Sequence, residues 1–129
     1  MERQTLLSGV LLVVYCAFIF YLSSLSGGFI SGLRLNDKLV HLLLYLVLGL
    51  VFSHFLHNLE LELSAVKSGL ITGLFIVLYG LSDEIHQIFV PRRNFSLLDL
   101  LADGVGGMAG WLLFLFLVQL GRNLVNIGK

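Results

Sequence analysis

The sequence predicts an all-α fold, a polytopic membrane protein built as a bundle of four transmembrane helices. Of its 129 residues, 57% are hydrophobic and 12% are charged, about half the charged share of a soluble domain. The apolar residues form four long runs, and about 20 helical residues cross a hydrocarbon core of about 30 Å. The chain has 14 glycines, which suit helices whose backbones approach closely in a membrane. We expect one membrane domain over residues 1–129.

Charge and cysteine content exclude several functional classes. The formal net charge is zero, and no basic block is present to attract nucleic acid, so we expect no nucleic-acid partner. The single cysteine, Cys16, lies inside an apolar run. Neither an intrachain disulfide nor a thiol metal motif is therefore expected. The expected surrounding of the chain is the lipid bilayer.

The first two apolar runs predict a retained N-terminal helix and a capped second helix. The run Leu6–Leu25 is longer than the apolar core of about 7–15 residues in a signal peptide, and no A-x-A cleavage site follows it. We therefore expect a transmembrane helix rather than a cleaved leader. Asn36 is placed to cap a second helix over Asp37–Phe55.

The second half of the chain predicts two more helices. The segment His54–Lys67 alternates charge and leucine and is expected to be a solvated loop, in which His54 and His57 leave a metal site as an alternative. A third helix is expected over Ala65–Val90, because Pro91 cannot continue it. A fourth is expected over Ser96–Leu120, where Ser96-x-x-Asp99 is a capping-box pattern.

This topology places both termini on one side and gathers polar residues at the opposite end of the bundle. The residues concerned are Asp37, Lys38, His41, Asp83, Glu84, His86, Gln87, Arg92, Arg93, Asp99 and Asp103. Charged groups at membrane depth are costly, so they are paired, hydrated or used in function. The eight Lys and Arg residues divide equally between the two sides. Setting aside Lys38, Arg92 and Arg93 as site residues puts the termini in the cytoplasm.

Individual polar residues carry separate expectations. Asp37, His41 and Tyr45 are spaced by four, on one helix face, which makes Asp37 the expected partner of His41. Asp103 lies a full turn deeper than any cap, on the face of Gly110, and is expected to point into the bundle. Glu84 is about 100° round its helix from the neighbouring aspartate and is expected to face water.

Arg92 and Arg93 follow the only proline and have two interpretations. In one, they lie among lipid headgroups, to which anionic lipids attract them. In the other, one of them clamps a phosphate or carboxylate through its planar guanidinium. The sequence does not separate these alternatives.

Several motifs occur in a fixed order along most of the chain. They are Ser23-Ser24, Asp37-Lys38-x-x-His41, Asp83-Glu84-x-x-Gln87, an arginine at 92 or 93, Ser96-x-x-Asp99 and Gly106-x-x-x-Gly110. This ordered set resembles the VanZ-like family of small bacterial membrane proteins, whose pattern usually has asparagine where this chain has Asp103. The resemblance implies a multi-pass protein of the bacterial cytoplasmic membrane. The family's namesake is associated with low-level resistance to the glycopeptide teicoplanin, and most members lack an assigned activity.

Two function hypotheses follow for the polar end. In the first, it binds or modulates a lipid headgroup, a lipid-linked wall precursor or a lipophilic glycopeptide in the cell envelope. The candidate binding residues are Asp37, Lys38, His41, Asp83, Glu84, Gln87, Arg92, Arg93, Asp99 and Asp103. In the second, the protein is an intramembrane hydrolase or transferase acting on such a headgroup, with Asp83, Asp103 and His41 as candidate catalytic residues.

A divalent cation is an alternative element of the enzyme hypothesis. Asp83, Asp99 and Asp103 would hold it with His41, and such oxygen-rich ligands suit magnesium, calcium or manganese. A proton- or ion-coupled transporter is disfavoured, since four helices give few surfaces for alternating access. The sequence has no H-E-x-x-H, nucleophile elbow or phosphate-binding glycine loop, and this absence favours binding slightly over catalysis.

Overall fold

The computed structural model describes residues 2–26 and 36–128, and this part of the chain consists of four helices without strands. The helices are α1 (Glu2–Ser23), α2 (Asp37–Asn58), α3 (Ala65–Gln87) and α4 (Leu97–Ile127). Each of them is long and apolar enough to cross a membrane. The predicted all-α fold with four membrane-spanning helices is confirmed.

The loop predicted over His54–Lys67 is wrong in extent. α2 continues past Phe55 to Asn58, so both histidines of that segment are helical and only residues 59–64 connect α2 to α3. The extra turn is stable because Leu56 is buried in the core and the Leu59 amide donates back to the carbonyl of Phe55 at 3.2 Å. Apolar burial therefore outweighs the polar character of this stretch.

The predicted ends of the other helices also shift. α1 ends at Ser23 rather than Leu25. α3 ends at Gln87 rather than Val90, because the amides of Phe89 and Val90 bond to carbonyls three residues back, both at 3.0 Å, in a tightened turn before the proline. α4 begins at Leu97 with Ser96 as its cap and continues to Ile127 rather than Leu120.

α2 is the central helix of the bundle and contacts the other three. Its Leu48 and Phe52 are buried together with Ile19 of α1 and Ile76 of α3. The ring of Phe52 stacks on Phe75 with the ring centroids 4.1 Å apart. Large apolar side chains also cover the outside of all four helices, as expected where lipid replaces water around the bundle.

Small residues bring α2 and α4 into backbone contact. A Cβ atom added to Gly106 would collide with the carbonyl of Leu42, and one added to Gly110 would collide with the carbonyl of Leu46. The glycine pattern of the fourth helix thus joins two helices of this one chain. This close approach sets the position of the polar groups at the start of α4.

Side-chain hydrogen bonds attach α1 to its neighbours along its length. The Tyr79 hydroxyl of α3 donates to the carbonyl of Cys16 at 2.6 Å, and the Tyr15 hydroxyl donates to the carbonyl of Leu44 in α2 at 3.0 Å. Near the opposite end, the Thr5 hydroxyl donates to the Asn58 carbonyl at 2.6 Å. α1 is therefore an integral member of the bundle.

Candidate functional site

Four helix ends meet at one end of the bundle: the C-terminal ends of α1 and α3 and the N-terminal ends of α2 and α4. The side chains in contact there, which we call the polar cluster, are Asp37, Lys38, His41, Asp83, Glu84, Gln87, Arg93, Asp99 and Asp103. Helix N-termini carry partial positive charge. The N-termini of α2 and α4 therefore stabilise the negative charges of the Asp37 and Asp99 carboxylates.

The deepest contact of the polar cluster joins α2 to α4. His41 Nδ1 lies 2.9 Å from Asp103 Oδ1, and the two side chains are only 7% and 0% exposed. The prediction that Asp37 pairs with His41 is therefore wrong, although all three residues lie at this end of the bundle. The glycine contacts between α2 and α4 bring Asp103 within hydrogen-bonding distance of the imidazole, 62 residues away in sequence.

Two ion pairs form the outer layer of the polar cluster. Lys38 Nζ lies 3.3 Å from Asp99 Oδ1, with the lysine side chain 51% exposed and the aspartate 6% exposed. Arg93 Nη1 lies 3.5 Å from Asp37 Oδ1. The lysine is thus held by a buried carboxylate while half of its side chain stays accessible.

The structure separates the roles of the two arginines. Arg93 is buried at 9% side-chain exposure and also donates to Gln87 Oε1 at 3.3 Å and to the carbonyl of Leu25 at 3.4 Å. It therefore joins the end of α1 to α2 and α3. Arg92 is exposed and has a positive φ of 62°, a backbone conformation that is uncommon outside glycine. Arg93, not Arg92, belongs to the polar cluster.

Glu84 is buried, so the prediction that it faces water is wrong. Its side chain is 0% exposed, and Oε2 accepts a 2.6 Å hydrogen bond from the backbone amide of Ser96. Ser96 in turn caps α4 through its hydroxyl, which accepts from the Asp99 amide at 3.2 Å. Only half of the predicted capping box forms. The Ser96 hydroxyl accepts from the Asp99 amide as expected, but the Ser96 amide donates to Glu84 rather than to the Asp99 side chain. The Asp99 carboxylate pairs with Lys38 instead.

Asp83 lies on the side of the cluster nearest α1. It is buried, and its Oδ2 accepts a long 3.4 Å hydrogen bond from Gln87 Nε2. Ser23, at the end of α1, is also buried near this carboxylate. His86 points elsewhere, since its Nε2 lies 3.0 Å from Ser24 Oγ and its ring packs on Phe20 with centroids 4.4 Å apart.

The polar cluster lies within the part of the chain that matches a known family. Residues 8–118 match the family model described as VanZ/LLP1. The chain belongs to the VanZ-like family. No curated protein and no solved structure matches this VanZ-like chain. The family match extends over the greater part of all four helices, and the ordered motifs of the sequence all fall inside it.

Two oxygens in the interior of the VanZ-like cluster stand out. Glu84 Oε1 and Asp103 Oδ2 are buried and have no hydrogen-bond partner among the residues that the structure describes. The same is true of the hydroxyl of Tyr45, one turn below His41. An unpaired buried polar atom costs about 1–3 kcal/mol. The deep part of the cluster therefore has unused capacity for a bound group.

Ligand-type atoms also form two triplets in this VanZ-like protein. One atom each from His41, Glu84 and Asp103 lies within 4.8 Å of the others, and the same holds for Asp37, His41 and Asp99. Asp83, which the sequence grouped with the cation ligands, belongs to neither triplet. The sequence named Glu84 as a binding residue but not as a cation ligand. Its burial depends on the connection between α3 and α4 that contains Ser96, which we call the Ser96 loop and which no helical periodicity reveals.

The two histidines at the other end of the VanZ-like bundle carry no such arrangement. His54 Nε2 lies 3.2 Å from the side-chain amide of Asn58, and His54 and His57 both approach the ring of Phe114. Within residues 2–26 and 36–128, neither belongs to a triplet of ligand residues. Helix packing accounts for their positions.

Proposed function

We propose that this VanZ-like membrane protein binds the anionic polar head of a membrane-anchored amphiphile at the polar end of its bundle. The amphiphile is a lipid, a lipid-linked wall precursor or a lipophilic glycopeptide of the bacterial envelope. The observation that carries the proposal is Lys38, whose ammonium group is held 3.3 Å from the buried Asp99 while its side chain stays 51% exposed. A cation fixed in this way suits a phosphate or carboxylate that arrives from the bilayer surface.

The surroundings of Lys38 support the same ligand class. Arg92 is exposed at the same end of the bundle, where headgroups lie when the four helices span the bilayer. Asp37, at the start of α2, is itself held by Arg93, so its carboxylate repels an incoming anion less than a free one would. The remaining acidic groups lie deeper and can accept hydrogen bonds from hydroxyl or amide donors of the ligand.

Ligand binding to the purified protein tests the proposal. We expect native mass spectrometry of detergent-solubilised protein to show binding of phosphatidylglycerol, undecaprenyl phosphate or teicoplanin in preference to zwitterionic phosphatidylcholine. Lys38→Gln should weaken the affinity for the preferred ligand about tenfold, which corresponds to about 1.4 kcal/mol of binding free energy. The three anionic ligands, tested one at a time, distinguish the possible sources of the headgroup.

A matched substitution at the opposite end provides the control. Lys67, near the start of α3, is also an exposed lysine, and Lys67→Gln removes the same charge far from the polar cluster. We expect Lys67→Gln to bind like the unaltered protein. Equal binding of anionic and zwitterionic amphiphiles, or equal effects of the two lysine substitutions, would contradict the proposal.

An intramembrane hydrolase or transferase remains the second candidate function, favoured by the His41–Asp103 contact of 2.9 Å. A carboxylate that orients an imidazole is a common arrangement around a general base. In this arrangement Asp103 positions His41, which takes a proton from the attacking group. Conversion of the bound amphiphile to a headgroup-free product, detected by mass spectrometry and lost in His41→Gln, would support catalysis; unchanged ligand after prolonged incubation would leave binding alone.

A further inference from the structure

We propose that His41, Glu84 and Asp103 form a binding site for a divalent cation in the interior of the polar cluster. One nitrogen of the imidazole and one oxygen of each carboxylate lie within 4.8 Å of one another. Ligand atoms bound at about 2.0–2.2 Å from a shared metal lie roughly 3 Å or more apart, so small side-chain rotations bring all three to coordination distance. This inference concerns a separate ligand and does not depend on headgroup binding.

The unpaired oxygens are the second observation that points to a ligand. Glu84 and Asp103 are both 0% exposed, and each has one carboxylate oxygen without a hydrogen-bond partner among the described residues, Oε1 and Oδ2 respectively. The other oxygen of each is engaged, by the Ser96 amide at 2.6 Å and by His41 at 2.9 Å. The Ser96 amide lies outside the triplet and orients the Glu84 carboxylate, as outer hydrogen bonds do for metal-binding carboxylates. The two unpaired oxygens are left for the cation.

Gly80 of α3 keeps space open beside one of these oxygens. A Cβ atom at this position would lie 3.0 Å from Asp103 Oδ2 and 3.1 Å from a methyl carbon of Leu100. Such a contact is tighter than ordinary van der Waals packing, so even alanine would crowd the free oxygen. The glycine thus leaves Asp103 Oδ2 uncrowded on this side.

Charge distinguishes the inner triplet from the outer one. In the outer triplet, Asp99 already pairs with Lys38 and Asp37 with Arg93. In the inner triplet, no described salt bridge joins Glu84 or Asp103 to a lysine or arginine, and the only basic side chain is that of His41. Metal ligands bind in their deprotonated forms, in which two carboxylates and a neutral imidazole carry a charge of −2. A divalent cation balances this charge in a low-dielectric interior.

The donor set indicates the class of ion. One imidazole nitrogen with two carboxylate oxygens suits Mn²⁺ or Zn²⁺, whereas Mg²⁺ and Ca²⁺ prefer oxygen ligands throughout. Three protein ligands also leave at least one coordination position for water or for an oxygen of a bound headgroup. Mn²⁺ is the probe of choice, because its free and bound forms differ in electron paramagnetic resonance.

Mn²⁺ titration of the full chain tests the site directly. Protein purified in detergent and stripped with EDTA should take up one equivalent of Mn²⁺ per chain, and Zn²⁺ should compete for it. Glu84→Gln should weaken binding at least about tenfold, as expected when a ligand is lost. The glutamine keeps a carbonyl oxygen that can accept the Ser96 hydrogen bond, so the fold should persist, which gel filtration and thermal unfolding check.

Two further variants make the result decisive. Glu62→Gln is the same substitution at an exposed loop residue between α2 and α3 and should leave Mn²⁺ binding unchanged. Asp103→Asn removes the second carboxylate and should weaken binding as Glu84→Gln does, which covers the case in which the Glu84 variant does not fold. A lack of saturable Mn²⁺ binding would overturn the inference, and so would equal Mn²⁺ affinity of the Glu84 and Glu62 variants. Loss of Mn²⁺ binding in Asp37→Asn, with binding retained in the Glu84 and Asp103 variants, would also overturn it.

The two proposals can fail separately. Headgroup binding measured in EDTA depends on Lys38 and needs no cation, whereas Mn²⁺ uptake is measured without added amphiphile. A Lys38→Gln variant that no longer binds the headgroup but still binds Mn²⁺ would support both proposals. Headgroup binding without any Mn²⁺ uptake would remove only the cation site.

Discussion

At the scale of single residues, Asp103 shows how a carboxylate is accommodated in an apolar helix. It is fully buried in α4, its Oδ1 lies 2.9 Å from His41 Nδ1, and its Oδ2 lies beside Gly80. An aspartate at membrane depth is expected to face the bundle interior and find a partner there. The partner is an imidazole, so the pair links α2 to α4 in addition to its place in the candidate site.

A double-mutant cycle on His41→Ala and Asp103→Ala should reveal this link. We expect a coupling energy of about 1–2 kcal/mol, above the average of about 0.6 kcal/mol for hydrogen bonds in membrane proteins, because one partner carries charge. Equilibrium unfolding in mixed micelles with increasing SDS measures it. The control cycle uses Gln119→Ala and Asn123→Ala, whose 3.4 Å hydrogen bond is exposed; equal couplings in the two cycles would contradict the expectation.

At the scale of helices, the contact between α2 and α4 positions the polar cluster. Gly106 and Gly110 face the backbone carbonyls of Leu42 and Leu46. These contacts lie on the C-terminal side of Asp103 in α4 and of His41 in α2. Backbone atoms cannot rotate away as a side chain can, so the separation of these helices is set by glycine. Any change that pushes the helices apart would also lengthen the contact between His41 and Asp103.

Alanine substitutions along α4 should separate contact glycines from free ones. Gly110→Ala should destabilise the protein by about 1–3 kcal/mol through overpacking. Gly104→Ala, where a Cβ meets nothing within 4 Å, should be neutral or stabilise by up to about 1 kcal/mol, because alanine favours the helix. Thermal unfolding in detergent compares the two. Similar melting temperatures would show that the close contact does not control stability.

At the scale of the whole molecule, the side-chain contacts define which helix ends lie together. Arg93 joins the carbonyl of Leu25 to Asp37 at one end, and Thr5 bonds to Asn58 at the other. The start of α1 therefore lies at the end opposite the polar cluster, and so does the end of α4, because α4 begins at the cluster. When the four apolar helices span a bilayer, the cluster opens to one side and the termini to the other.

Cysteine accessibility should show this arrangement in intact cells. In a Cys16→Ala background, single cysteines at Gln4 and Asn126 should react from the same side with a membrane-impermeant maleimide, and a cysteine at Asn94 from the opposite side. We expect Asn94 to be outside, which follows from the predicted cytoplasmic termini. Permeabilised cells, in which all three react, provide the control. Labelling of the cysteines that replace Gln4 and Asn94 from the same side would rule out the topology.

The sequence alone determined those features that depend on local spacing. The length of each apolar run predicted the four spans, Asn36 and Ser96 predicted helix starts, and the glycines of α4 predicted a close helix contact. Each follows from helix geometry or from the cost of exposing backbone groups in lipid. The ordered motifs indicated the family for the same reason, since they are short and local.

Tertiary structure decided which polar residues meet. His41 bonds to Asp103 rather than Asp37, Glu84 is buried under the Ser96 loop, and Arg93 rather than Arg92 enters the cluster. These contacts join separate elements, in the first case across 62 residues of sequence. The separation and rotation of packed helices, together with the turn around the proline, set such distances. Helical periodicity within one segment carries no information about them.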